Sequence, residues 1–276
     1  MFILLFILII IPKVSHADKI TWMLVDYPPF EYKEGNEYKG YGVNLIKILQ
    51  QSLPQYDHQF NLATSARIMH NIKLGKNICA FGFFKTEMRD QFVNYSVPDA
   101  LWFPVQLFMR RDTYLKLGRP AELSLNELLE KKQGALGISN KSSYGKSIDD
   151  VLQHFSGSKQ IQVNYSGYIT KSLFSMLLMN RIDFIIDFPA EGKYTAQLLN
   201  ARDKVISVPI KENMTFKVSH TLCPNTPWGK QVITDINKAL KQLRPQEKWR
   251  AAYEQVISKE LIPLYRENYD KLLLSK

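Results

Sequence analysis

Apolar residues along this chain recur at two spacings that alternate from one end to the other. Short runs rich in β-branched and aromatic residues read as strands: "KITWMLVDY", "ICAFGFF", "ALGIS", "IQVNY", "RIDFIID" and "KVISVPI". Between them lie segments with helical periodicity. "YGVNLIKILQQSL" sets Leu45, Ile46, Leu49 and Leu53 on one face. "ATSARIMHNIKLG" has Thr64 or Ser65 as its cap and Gly75 as its stop, and "SLNELLEKKQG" carries Ser124 and Glu127 at capping-box spacing and ends at Gly134. "SSYGKSIDDVLQHF", "TKSLFSMLLMN", capped by Thr170, and "AEGKYTAQLLNA" continue the series. Three helices, over 228–243, 246–257 and 261–274, finish the chain. Two long extended segments, "WFPVQLFMRR" and "TFKVSHTLCP", bracket a complete β/α set in the middle.

Strict alternation of strands and helices predicts an α/β protein whose mainly parallel sheets are covered by helices. The bracketing segments predict two lobes, with the chain crossing to the second and then returning. The expected division is 18–107 for the first part of lobe one, 108–218 for lobe two, and 219–276 for the return strand and C-terminal helices. In such open sheets a ligand sits beyond the carboxyl ends of the strands. The ends that matter are Asp26–Phe30, Phe81–Phe84, Ser139–Tyr144 and Asp187–Phe188.

Residues 1–17, "MFILLFILIIIPKVSHA", stand outside this pattern. The apolar stretch Phe2–Ile11 is shorter than the ~20 residues a membrane span needs. It ends at Pro12, and Ser15-His16-Ala17 puts small residues where a signal peptidase cuts. The expectation is a cleavable signal peptide and a periplasmic protein, although no base precedes the apolar core; the alternative is an uncleaved anchor. The formal net charge is +10. Its bases are scattered and form no nucleic-acid module, so the charge implies solubility and a mild bias toward anionic ligands or an anionic membrane surface. The five histidines, His16, His58, His70, His154 and His220, fall on unrelated elements. No phosphate loop, nucleophile elbow or metal pattern appears, so no cofactor is expected.

The succession "DYPPFEY", "GYGVNLIKIL", "KTEMRDQFVNYSVP", "RIDFIID" and "PWGKQVITDINKAL" resembles the bacterial extracellular solute-binding proteins of family 3, in the same order over nearly the whole chain after residue 17. The resemblance implies the two-lobed type II periplasmic-binding-protein fold with a ligand cleft between the lobes. It also implies capture of a small solute by lobe closure, with no catalysis. The family's Thr-Glu-x-Arg pattern falls on Thr86, Glu87 and Arg89, which makes Arg89 the expected partner of a ligand carboxylate; a guanidinium presents a planar fork suited to two oxygens. Tyr27 matches the family's aromatic ring over the ligand. "NKSSYG" matches its helix-start element, where Ser142, Ser143 and Tyr144 would meet a carboxylate, with Lys141 in the place of a glycine. The alternatives are ordinary ones: a solvated arginine, a packing tyrosine, an N-cap serine.

Two departures shape the expected ligand. Phe81, Gly82 and Phe84 stand where the family has small hydroxyl residues, and Trp102 adds a further ring. The family's acidic partner for an ammonium group falls on Phe188, with Asp187 one residue early; on a strand, that offset turns a side chain to the other face. A carboxylate with an amino-acid-like, aromatic or peptide-like body is the expectation, delivered to an inner-membrane permease of the ABC type or to a sensor by a monomer. The alternatives are a periplasmic hydro-lyase, for which Glu31, Asp187 and Glu191 are the acids near the strand ends unless they are plain surface carboxylates, and an interaction protein without a ligand. Cys79 and Cys223 end strands that this fold would bring together, so in an oxidising compartment they are a candidate disulfide; two separately buried thiols are the alternative.

Overall fold

The structure is a computed structural model, and it describes residues 18–140, 142–166, 169–257 and 259–275. The expectations for residues 1–17 and for Lys141 lie outside them.

The chain opens with strand β1 (Asp18–Leu24), a small hairpin of β2 (Tyr32–Glu34) and β3 (Glu37–Lys39), and helix α1 (Tyr41–Gln51). Strand β4 (Tyr56–Leu62), α2 (Ser65–Lys73), β5 (Ile78–Phe83), the single turn α3 (Glu87–Asp90) and β6 (Val93–Trp102) follow. After Phe103-Pro104-Val105 the chain enters β7 (Gln106–Arg110), α4 (Arg111–Lys116), α5 (Leu125–Glu130), β8 (Leu136–Ser139), α6 (Lys146–His154) and β9 (Ile161–Asn164). Then come α7 (Ile169–Leu178), β10 (Phe184–Asp187), α8 (Pro189–Leu198) and β11 (Val205–Pro209). It returns through β12 (Lys217–Pro224) to α9 (Pro227–Leu243), α10 (Glu247–Glu254) and α11 (Ile262–Tyr269).

Two five-stranded sheets result, in the orders β4-β1-β5-β12-β6 and β11-β7-β10-β8-β9. Each is mixed. The βα segments give parallel pairs, β1 with β4 and β5, and β8 with β9 and β10. The crossing strands run the other way: β12 is antiparallel to β5 and β6, and β7 to β10 and β11. The segment expected as one extended run from Trp102 is thus two strands in two sheets, and β6 extends back to Val93.

Local sequence sets the helix starts. Thr64 accepts from the Arg67 N–H at 3.3 Å and Thr226 from Gly229 at 3.1 Å. Ser124 caps α5 by accepting from Glu127 N–H at 3.1 Å, but the other half of the expected capping box is absent. The Glu127 carboxylate turns to Lys131 at 2.8 Å. Glu212, distant in sequence, instead accepts from the N–H groups of Leu125 and Asn126 and from the Ser124 hydroxyl. A carboxylate favours a helix start whichever part of the chain supplies it.

The largest apolar cluster runs through both halves, from Trp22, Leu24 and Phe81 by way of Trp102 and Phe103 to Leu107, Phe184 and Phe188. Cys79 on β5 and Cys223 on β12 are joined in a disulfide within the first sheet. Among the described residues no helix is long and apolar enough to cross a membrane.

Candidate functional site

A cavity of about 100 Å³ lies between the two sheets. All ten residues singled out in the sequence border it: Tyr27, Phe81, Gly82, Phe84, Arg89 and Trp102 from the first half, and Ser142, Ser143, Tyr144 and Asp187 from the second.

Arg89 owes its place to a short turn. Thr86 starts α3, its carbonyl accepts from Arg89 N–H at 2.9 Å, and the side chain folds back toward β5. There Nη1 donates to the Phe84 carbonyl at 2.7 Å and the guanidinium sits 5.3 Å over the Phe83 ring. Only 7% of the residue is exposed. Burial lowers its pKa, yet a guanidinium keeps its proton in any protein. Among the described residues no carboxylate lies within 4.0 Å of it, although Asp149, farther off, acts on it through its charge. A buried cation with one carbonyl partner has donors left for an anion.

Gly82 shapes the wall beside it. At φ +78° it breaks the two-residue alternation of β5. Cys79 and Phe81 pack into the main core, whereas Phe83 joins Ile78 and Ala80 in a separate cluster under α2. The Phe81 ring is fully buried between Phe30 and Trp249, each with its centroid 6.2 Å away, so it backs the wall instead of facing a ligand. Trp102 is fixed by its indole N–H donating to Ser219 Oγ at 2.8 Å, and Ser219 in turn donates to Asp99 at 2.7 Å.

Tyr27 stands at the base of a tight turn: its N–H donates to Glu31 O at 2.7 Å, and its carbonyl accepts from Phe30 and Glu31. Its phenol reaches across the cleft and donates to Oδ1 of Asp187 at the end of β10. The one-residue offset therefore does not turn Asp187 away. It lines the cavity and also accepts from Phe188 N–H at 2.9 Å. Burial pushes its carboxyl well above the usual carboxylate range, with the nearby Glu191 charge adding and the Tyr27 bond opposing.

In the second half the expected serine element is differently used. Gly145, not a serine, caps α6. Asp149, in the first turn, accepts from the Ser143 hydroxyl and from Tyr144 N–H at 2.8 Å, so an internal carboxylate holds the donors expected to meet a ligand. Tyr144 is buried, and its hydroxyl accepts from Ser139 N–H at 2.9 Å.

Glu31, Asp187 and Glu191 are all buried, which corrects the surface reading of these acids. Glu31 accepts from Val25 N–H at 3.1 Å and Glu191 from the Tyr41 hydroxyl at 2.7 Å, each leaving its second oxygen without a hydrogen-bond partner among the described residues. The cavity also takes in Ser65, Ser139, Thr170, Leu173 and Phe188, which were not among those ten, although Ser139 and Phe188 stand at strand ends expected to matter. Ser65 and Thr170 had a sequence signal, as helix-start residues; the Thr170 hydroxyl has no partner among the described residues. Among those residues no group of three or more His, Cys, Asp or Glu is placed to hold a metal ion.

Two mixed sheets, a double crossing and a cavity beyond the strand ends define a two-lobed α/β binding protein. The chain belongs to the bacterial extracellular solute-binding proteins, family 3, whose family model matches residues 21–259. Solved structures agree on the fold. The arginine-, lysine-, histidine-binding protein ArtJ from Geobacillus stearothermophilus aligns at TM-score 0.70 and 16% identity, over 90% of this chain and 99% of that one. A histidine kinase sensor domain with similarity to periplasmic binding proteins aligns at TM-score 0.70 and 15% identity, over 88% and 97%. The ancestral amino acid-binding protein AncCDT-1, a precursor of cyclohexadienyl dehydratase, aligns at 0.67 and 17%, over 88% and 96%. No curated protein sequence matches the chain.

Proposed function

We propose that this protein captures a small carboxylate-bearing solute in the periplasm by closing its lobes around it, without chemical change to the solute. The observation that carries this reading is Arg89: a buried guanidinium on the cavity wall, with no carboxylate within 4.0 Å among the described residues and only the more distant charge of Asp149 acting on it. A buried charge without a close counter-ion is costly, and an incoming carboxylate relieves that cost. Tyr27 and Asp187 face the solute from the other side and offer a place for a donor group such as an amine. The cavity is partly open and holds about 100 Å³, which favours a short, amino-acid-like body over the aromatic or peptide-like one inferred from the phenylalanines.

Residues 1–17 serve as the export signal in this reading, and the closed monomer is delivered to an ABC-type permease or read by a sensor. Likeness to amino-acid binders and to a kinase sensor domain supports both destinations. A lyase reading rests on Asp187, an acid in the cavity whose carboxyl burial pushes well above the usual range.

A thermal-shift screen with amino acids, other small carboxylates and short peptides tests the proposal. A hit raises the melting temperature as its concentration passes the dissociation constant, Arg89→Ala removes the shift, and the hit is recovered unchanged. An equal shift in the variant would end the role of Arg89; consumption of the hit would favour the lyase.

A further inference from the structure

Three rings meet at the apolar end of the cavity. Phe84 and Trp102 come from the first half, their centroids 6.2 Å apart. Phe188 comes from the second and lies 4.8 Å from Trp102 and 6.0 Å from Phe84. Its backbone leaves the ring little freedom. Phe188 N–H donates to Asp187, its carbonyl accepts from Gly192 N–H at 2.9 Å, and Pro189 follows at the start of α8, which holds the preceding residue extended. On the opposite side the Trp102–Ser219–Asp99 chain fixes the indole. Two rigid surfaces thus close on each other, with Phe188 8% exposed between them.

What remains is about 100 Å³, less than the ~150 Å³ apolar cavity that accepts a benzene molecule. We propose that Phe188 is the specificity-determining residue of the cleft: its ring, filling the space between Trp102 and Phe84 on closure, limits the solute to a body of fewer than about six heavy atoms. A longer body would hold Phe188 off Trp102. It would also keep apart Tyr27 and Asp187, and Tyr41 and Glu191, the hydrogen-bonded pairs that join the halves. The ring therefore converts solute size into completeness of closure. The identity of the head group rests on the Arg89 reading above; the size limit does not.

The test compares wild type, Phe188→Ala and Phe188→Leu, by thermal shift and calorimetry, with two probes. The first is a series of α-amino acids and monocarboxylates of two to ten carbons, including phenylacetate and phenylalanine. Wild type is expected to respond to the short members only, and Phe188→Ala to bind the long and aromatic ones at least tenfold more tightly than wild type does. The second probe is benzene, which has no charge for Arg89 and is expected to raise the melting temperature of Phe188→Ala but not of wild type. Either gain, in size limit or in benzene uptake, supports the proposal, and absence of both overturns it. If no carboxylate acts on any protein while benzene stabilises the variant, the Arg89 reading fails and the size filter stands. Phe188→Leu carries the same two readouts should the alanine variant not fold.

Discussion

The Tyr41 hydroxyl, at the first residue of α1, donates to Oε1 of Glu191 on α8 at 2.7 Å, and the two belong to opposite halves of the molecule. Glu191 is fully buried and its Oε2 has no hydrogen-bond partner among the described residues. Burial pushes the carboxyl from an ordinary 4.5 up to about 7, with the Tyr41 bond opposing. The folded protein therefore keeps a proton here that the unfolded chain has lost. The associated stability is fully present below about pH 4.5 and disappears as pH rises through 7, at no more than about 1.4 kcal/mol per pH unit. Glu191→Gln, neutral at every pH and still able to accept from Tyr41, should be more stable than wild type at pH 8, by about 1–3 kcal/mol. The gap should close toward pH 5. Melting curves from pH 5 to 8 check this, and parallel profiles for the two proteins would refute it.

Arg89 gives a prediction of opposite character, about binding instead of stability. Arg89→Met keeps an apolar stem but removes the charge and the fork. Losing one partner of a buried charged pair costs about 2–5 kcal/mol in binding, so affinity for a responding carboxylate should fall at least about 30-fold. The ligand-free variant should stay within about 1.5 kcal/mol of wild type: it loses one hydrogen bond to Phe84 O and the attraction of the distant Asp149, and with them the burden of a buried cation without a close counter-ion. Arg89→Lys keeps charge without the planar fork and should fall between. Calorimetry with the best hit, paired with urea unfolding, separates the two effects. A variant that unfolds early and still binds at full strength would reverse the assignment.

Much of the architecture was legible because periodicity reports burial. The strand from Ile78 is apolar throughout and the one from Phe184 is apolar up to Asp187, as strands covered on both faces are. Strand β4 was not legible. Its residues Asp57, Gln59 and Asn61 point outward because it pairs only with β1 at the edge of the sheet, and half its pattern is therefore polar. The hairpin of β2 and β3 escaped for the same reason. At the site, Arg89, Tyr27 and Asp187 could be picked out by resemblance and by their places at strand ends. Phe188 was legible as a strand end and as the wrong residue type for an acid, but not as one of three packed rings, since its partners Trp102 and Phe84 are far away in sequence. The occupation of Ser143 by Asp149 depends on where α6 begins, a boundary that local propensity places poorly.

Gly82 links the core to the cleft. Its φ of +78° is unfavourable for any side chain, and a Cβ there would lie 2.5 Å from Phe30 Cζ. Gly82→Ala should cost about 1–3 kcal/mol through this overlap. It should also weaken the response to a carboxylate, because Phe83 and Phe84, the ring and the carbonyl that hold Arg89, follow immediately. Phe30→Leu in the same chain removes the atom in the way and should recover part of the stability but not the backbone strain. Urea midpoints for the two single variants and the double variant measure the coupling. Strict additivity would show that the clash is not the cause.

The Cys79–Cys223 bond spans 144 residues of sequence. It ties β5, the strand before Arg89, to β12, the strand by which the chain returns, and the loop it closes contains the whole second sheet. A long loop gives a crosslink its largest effect on the unfolded chain, about 4–5 kcal/mol in the chain-entropy model. Measured values are commonly smaller, so the double variant Cys79→Ala, Cys223→Ala should lose about 2–5 kcal/mol. Sheet pairing between β5 and β12, which sets Leu222 opposite Ala80 and His220 opposite Phe83, does not need the bond. The native spectrum and the response to a carboxylate should therefore survive, while the guanidinium midpoint falls. Reductant should lower the wild-type midpoint toward that of the variant and leave the variant unmoved. A wild-type midpoint indifferent to complete reduction would mean that the crosslink adds nothing beyond what the sheet already holds.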